Sequence, residues 1–495
     1  MLEQGGLQYR SGAGRWVIAA TVLGSGMSSV DATVVGIALP TIGRQFHASV
    51  AQLQWVVNGY TLTLAALLLV GGSLGDRFGR RRVFIVGVIW FTVASAACAL
   101  APGATALIAL RVLQGVGGAL LTPGSLAILQ AAFRHEDRGQ AIGAWTGLGG
   151  VAAATGPFIG GWLIAVASWR WIFFINLPIG LVVLLLSVRH VPESRDSSAP
   201  DRVDVPGALL VMTALAGVTY GLIEGPSHRW DRPGPVVALV VGAVAACLFV
   251  QVESRSPAPL LPLALFRRRQ FSVTNAVTFV VYGALGGVLF LLPVVLQVAG
   301  GYSPLASGVA LLPLTVMMLL LSSTSGRLAS RIGPRLQMSF GPVVVGCGLA
   351  LLSRVTTDST YLTGVLPAVL LFGLGLATTV APLTATALAA VPVAHAGLAS
   401  AVNNDVARVG GLIAVAVLPA LSGLTGSAYL HPVQLADGFR TATLVAGAWC
   451  VAGGVLAAIG IRNPERREGL TAPDEVPEHG YLHCGLDAPP QVVGD

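Results

Sequence analysis

The chain has 495 residues, 54% of them hydrophobic and only 10% charged, with a mean hydropathy of +0.77 and a formal charge of +7. Soluble domains carry about a quarter charged residues, so this composition excludes a soluble globular protein and indicates an integral membrane one. All 29 basic residues are arginine, scattered through many short polar stretches, which argues against a nucleic-acid partner. Cys98, Cys247, Cys347, Cys450 and Cys484 lie far apart, with neither disulfide nor metal-ligand spacing.

A membrane span needs about 20 mostly apolar residues. That criterion predicts fourteen in chain order: 16–39, 52–74, 83–102, 105–129, 140–165, 171–189, 206–223, 234–252, 272–296, 305–326, 337–353, 361–386, 398–421 and 441–461. The runs are too long and too uniformly apolar for barrel strands, which alternate over about ten residues. An all-α membrane protein follows. The first run continues too far for a cleaved leader and is expected to remain as a span.

Between the second and third runs lies Gly72-Ser-Leu-Gly-Asp-Arg-Phe-Gly-Arg-Arg-Arg-Val83, four arginines and one acid read as a short loop outside hydrocarbon. Alternating the loops between two sides puts 21 arginines on one side and six on the other, with Arg111 and Arg408 inside spans. The positive-inside rule makes the rich side cytoplasmic, and the even number of spans places both termini there, in a cell inner (plasma) membrane. Residues 190–205 and 253–271 read as cytoplasmic linkers, 1–15 as a cytoplasmic N-terminus, and the polar 462–495 as a disordered tail.

Gly326-Arg-Leu-Ala-Ser-Arg-Ile-Gly-Pro-Arg335 repeats the pattern of the 72–83 stretch, with Ser330 where Asp76 stood, and the twelfth span echoes the fourth. Residues 16–189 and 272–461 therefore read as two related six-helix halves, with 206–252 as two inserted helices.

The 72–83 stretch resembles the G-x-L-x-D-R-x-G-R-R signature of the major facilitator superfamily at Gly72, Leu74, Asp76, Arg77, Gly79, Arg80 and Arg81. Three further segments are similar to its fourteen-span drug:proton antiporter branch. These are Asp31 to Pro40, with Gly36 where asparagine is usual; Arg111-x-x-Gln-Gly115-x-Gly117; and Gly156-Pro-Phe-Ile-Gly-Gly161, preceded by Gly143 and followed by the Trp169 to Gly180 entry to span six. The resemblance implies alternating access by two halves around a midplane cavity. It also implies a latch at the 72–83 loop and a seal against leak at Gly143, Gly156, Pro157, Gly160 and Gly161.

An acid inside a span costs about 2.5–3.5 kcal/mol on insertion scales, so Asp31 needs a reason to be there. Asp31 and Arg111 fall at similar depths, about 12 and 9 Å from the outer end at 1.5 Å per residue. Because the resemblance makes spans one and four neighbours, the two are expected to face one cavity, as a proton site or as a fixed ion pair. Asp405, with Arg408 at i+3, is expected either to pair along its helix or to handle protons. Glu224 is expected to be structural or solvated, and His47 and His395 to be loop residues. Gly143 with Gly147, and Gly156 with Gly160, share a helix face and are expected to admit another backbone, as a gate or as plain packing.

No phosphate-binding G-x-x-x-x-G-K-[ST] loop exists in a chain without lysine, and no hydrolase elbow or zinc helix occurs, so no enzyme and no cofactor is expected. The expected energy source is a proton gradient, worth about 2.3 kcal/mol per 100 mV and about 1.4 kcal/mol per pH unit. The expected function is proton-coupled export of amphipathic small molecules by a monomer in the lipid bilayer. An importer or exchanger on the same fold, and a membrane receptor that has lost transport, remain the alternatives.

Overall fold

The computed structural model describes residues 6–196, 204–228, 230–257, 259–357, 359–392 and 396–463. Residues 463–495 form a separate unit of which only Asn463 is described, so the expectation of a disordered tail, like that for His395, lies outside the described residues.

Among the described residues, fourteen helices are long and apolar enough to cross a membrane: Gly12–Phe46 (α1), Val50–Phe78 (α2), Arg80–Ala99 (α3), Ala104–Ala132 (α4), His135–Val166 (α5), Trp171–His190 (α6), Val205–Ser227 (α7), Pro233–Arg255 (α8), Arg269–Val298 (α9), Pro304–Ile332 (α10), Pro334–Leu352 (α11), Tyr361–Ala389 (α12), Gly397–Leu421 (α13) and Pro432–Gly460 (α14). No strand occurs among the described residues; one isolated bridge joins Leu7 to Phe133.

Eleven of the helices contain the whole predicted span, while α3, α11 and α14 stop three, one and one residues short of it; most run longer at one or both ends, for local reasons. α1 passes through Pro40, which removes only one intrahelical donor. α5 begins at His135 because Glu136 and Asp137 suit a helix N-terminus, although hydropathy excludes them. The 72–83 stretch is a correction: it is not a loop. α2 continues to Phe78, α3 starts at Arg80, and Gly79 alone turns the chain at φ 111°. Gly333 does the same between α10 and α11 at φ 85°. Side chains rarely adopt that region, so both copies of the turn require glycine.

The repeat is legible in the packing. In the first half α2 and α3 pack on α4, α1 on α5 and α6, and α3 on α6. Eight helices later every pair recurs: α10 and α11 on α12, α9 on α13 and α14, and α11 on α14. The inserted α7 and α8 pack on each other, and α7 also lies against both α2 and α13. The halves meet along three lines, α1 with α9, α2 with α13, and α5 with α10.

Hydrogen bonds between the halves gather at the arginine-poor ends. Val50 N donates to Gly426 O (2.8 Å) and Tyr429 Oη to Ala48 O (2.8 Å). Burial pushes the Tyr429 phenol up, with Arg44 opposing, so its hydroxyl stays a donor. Gln297 Nε2 donates to Ile37 O (2.9 Å), Asn58 Nδ2 to Leu412 O (3.2 Å), and Gln54 Nε2 to Val415 O (2.7 Å) and Ala416 O (3.1 Å). The arginine-rich end carries ion pairs of a different kind, Asp76 with Arg80 and Glu193 with Arg81 and Arg82, all on the first half's side.

Candidate functional site

Asp31 on α1 and Arg111 on α4 meet in the first half. Both are 1% exposed and form an ion pair through Asp31 Oδ2 and Arg111 Nη1. Gln114, one turn beyond Arg111, closes the network. Its Nε2 donates to Asp31 Oδ1 (2.9 Å), and its Oε1 accepts from Arg111 Nη1 (2.7 Å). Arg111 Nε donates to Val56 O (3.1 Å), and the guanidinium lies 4.3 Å from the centre of the Tyr60 ring. Tyr60 in turn shares a 2.5 Å hydrogen bond with Ser28, three residues before Asp31. Every charged atom of the acid is therefore engaged, the condition under which a buried pair is tolerated. α4 comes this close to α2 through bare glycine: a Cβ on Gly115 would lie 2.6 Å from Tyr60 O. Gln114 escaped the list of candidates, although the i, i+3 spacing of Arg-x-x-Gln put it on Arg111's face.

In the second half the polar contact between α9 and α13 is uncharged. Asn403 Nδ2 donates to Asn275 Oδ1 (3.1 Å) and Thr278 Oγ1 (2.8 Å). The expected helix pair of Asp405 with Arg408 is not made as an ion pair. Asp405 Oδ1 is buried without a hydrogen-bond partner, while Arg408 is within electrostatic reach of both Asp405 and Tyr60 across the seam. Three residues along a helix allow a pair without enforcing one.

The Gly72 to Val83 element is held by a strap that sequence reasoning missed. Asp76 Oδ1 accepts from Arg80 Nε (2.8 Å). After α6 the extended segment 191–196 docks on the turn: Arg80 N donates to Ser194 O (2.9 Å), Asp196 N to Asp76 O (3.0 Å), and Arg81 Nη1 to Val191 O (3.2 Å). Glu193 Oε1 accepts from Arg81 N (3.1 Å), and a Cβ on Gly79 would lie 2.7 Å from that oxygen. Gly79 thus has a second reason to be glycine. Arg77 stacks on Phe78, and Gly72 touches little beyond Pro123. In the second copy the Ser330 hydroxyl donates to Arg327 O of its own helix (2.7 Å), and Arg335 Nε reaches Ala458 O (2.9 Å).

The α5 glycines divide. A side chain at Gly156 would meet Thr33 and one at Gly160 would meet Val34, both on α1. At Gly161 it would lie 2.6 Å from Pro304 O on α10, and one at Gly308 of α10 would lie 2.3 Å from Pro157 O. Gly143 and Gly147 correct the expectation of close approach there: nothing lies within 4 Å of either position. Glu224 accepts from Trp55 Nε1 (3.0 Å) and stands 3.6 Å from His228, fixing α7 to α2. His47 is the left-handed C-cap of α1.

Two repeated six-helix units that meet around a seam, with a charged network buried in one of them, define a multi-pass membrane transporter fold. A profile described as Major Facilitator Superfamily matches residues 21–415. The chain is 37% identical over 414 residues to the multidrug resistance protein Stp of Mycobacterium tuberculosis (strain CDC 1551 / Oshkosh), covering 83% of this chain and 76% of that protein. It is 38% identical to the tetracenomycin C resistance and export protein of Streptomyces glaucescens (81% and 74% covered), and 36% identical to the methylenomycin A resistance protein of Bacillus subtilis (strain 168; 87% and 92%). Among solved structures, a bacterial homolog of the human lysosomal transporter Spinster superposes with a TM-score of 0.64 at 16% identity (91% and 97% covered). The nucleoside transporter NupG superposes with 0.62 at 10% identity (90% and 100%). The chain belongs to the Major Facilitator Superfamily, a family of transporters and not of enzymes.

Proposed function

We propose that the protein exports amphipathic drugs or antibiotics from the cytoplasm in exchange for protons, by alternating access. The single observation that carries this reading is the fully engaged Asp31–Arg111–Gln114 network, buried in a chain whose relatives are drug resistance and export proteins. Residues 16–189 and 272–461 are the rocking halves, joined by 190–205, the inserted 206–252 and 253–271. The arginine-rich face and both termini are cytoplasmic by the positive-inside rule, in the inner (plasma) membrane. The working unit is a monomer that needs no cofactor beyond the proton gradient.

The chemistry follows from the acceptors. As a carboxylate, Asp31 satisfies both Arg111 and Gln114. A proton on Oδ2 removes the negative charge and the oxygen that accepts from Arg111, which then keeps Val56 O, Gln114 and the rings of Tyr60 and Phe173 as partners. Protonation therefore destabilises this packing of α1 against α4. A conformation that gives Asp31 access to water on the outer side loads the proton, and re-forming the pair on the inner side expels it. Asp76, Gly79 and the arginines at 77, 80 and 81 form the cytoplasmic latch, and Gly156, Pro157, Gly160 and Gly161 the outer seal.

Everted vesicles carrying the protein test this. Acidification of the lumen should drive uptake of a fluorescent amphipathic drug, and a protonophore should stop it. Uptake indifferent to the gradient would contradict proton coupling.

A further inference from the structure

The α2–α13 seam contains a hydrogen bond that neither helix could make alone. Pro419 lies in the last turn of α13 and has no N–H, so the carbonyl four residues earlier, Val415 O, loses its intrahelical donor. In a membrane interior a freed carbonyl must find another donor. The shortest bond of Gln54, 2.7 Å, goes to that oxygen. Asn58, one turn deeper on the same face of α2 and fully buried, donates to Leu412 O, one turn deeper on α13. α7 backs this seam, with Ile223 packed between Ala51 and Ala416 and Glu224 bonded to Trp55. The opposite seam, α5 with α10, is closed by Gly161 and Gly308 against backbone, and no described side chain of α5 hydrogen-bonds α10.

We infer that Gln54 and Asn58 are the positioning residues of the outer latch, with the carbonyl released by Pro419 as its built-in acceptor, while the glycine-lined α5–α10 seam is the surface on which the halves roll. The inference rests on the alternating-access reading. It assigns opening to one seam: the side-chain amides of α2 must leave α13, whereas glycine against backbone slides without breaking a bond. A proline at 419 keeps the acceptor permanently available, so re-closure needs no helix rearrangement.

The test is a distance distribution across the arginine-poor face in full-length protein in nanodiscs. Spin labels are carried by Arg44→Cys and Val433→Cys, both exposed and on different halves, with native Cys247, Cys347 and Cys484 replaced by serine. Gln54→Leu removes both bonds of Gln54 Nε2 and should raise the ratio of open to closed populations at least about fivefold, the worth of one ordinary hydrogen bond. Pro419→Ala restores an N–H that competes for Val415 O and should shift the ratio in the same direction by less. Thr33→Val removes a hydroxyl whose acceptors, Val30 O (3.0 Å), Ala153 O (3.2 Å) and Ser29 O (3.3 Å), all lie within the first half, and should leave the ratio as in the parent. A parent that shows two populations while Gln54→Leu and Pro419→Ala both leave them unchanged overturns the latch and spares alternating access. A parent with one distance at every pH and drug concentration overturns alternating access, and the latch with it.

Discussion

The two halves pair their helices identically and fill the pairs with different chemistry. Where α1 meets α4, the first half buries an acid, an arginine and a glutamine; the equivalent pair of the second half, α9 with α12, has no side-chain hydrogen bond among the described residues, and the buried polar contact there, two asparagines and a threonine, lies between α9 and α13. The same contrast holds at the turns, since Asp76 pairs with Arg80 whereas the Ser330 hydroxyl donates within its own helix. Packing is conserved by the repeat because backbone and glycine positions set it. Among the described residues a buried ion pair occurs in the first copy only; the second copy's acid, Asp405, keeps a buried oxygen with no hydrogen-bond partner.

The sharpest way to break this comparison is to remove the same kind of partner from each half. Arg111→Ala leaves Asp31 buried and unpaired, which should cost about 3–5 kcal/mol and abolish transport. Asn403→Ala strands only neutral groups, about 1–3 kcal/mol, and should leave coupling intact. Thermal unfolding in detergent together with drug efflux checks both, and equal penalties would erase the contrast.

A smaller effect is expected at the turns. Asp76→Asn should reduce efflux at least tenfold while Ser330→Ala stays near the parent. The Asp76–Arg80 pair is 37% and 18% exposed and contributes only about 0–1 kcal/mol to stability, so its loss would be conformational. Similar losses from both variants would mean a symmetric latch. Smaller still, Glu193→Gln keeps an acceptor for the amide of Arg81 but removes the charge near Arg81 and Arg82. A two- to threefold loss is expected by the same ranking of exposed pairs, and efflux above the parent would reverse its assigned role.

Much of this was legible in the chain because hydrocarbon imposes one rule on every span, about 20 apolar residues. Repeated turns at Gly79 and Gly333 made the halves visible for a similar reason, since a positive φ leaves no alternative to glycine. Contacts between segments far apart in sequence were harder to read. Glu193 lies in a polar linker, and its partner, an amide 112 residues away, leaves no trace in composition. Gln114 shares Arg111's helix face, but spacing alone does not show that its amide reaches Asp31. Gly143 shows the converse: small residues four apart allow a close neighbour but do not create one.

The central claim is that Asp31 couples protons to movement of the halves, and substrate counterflow tests it without an imposed gradient. In proteoliposomes at constant pH, Asp31→Asn should still exchange labelled for unlabelled drug, because the halves can rock with a neutral residue at 31. The same vesicles should no longer accumulate drug when a pH gradient is applied. Gradient-driven accumulation at the parent's level in Asp31→Asn would contradict the account.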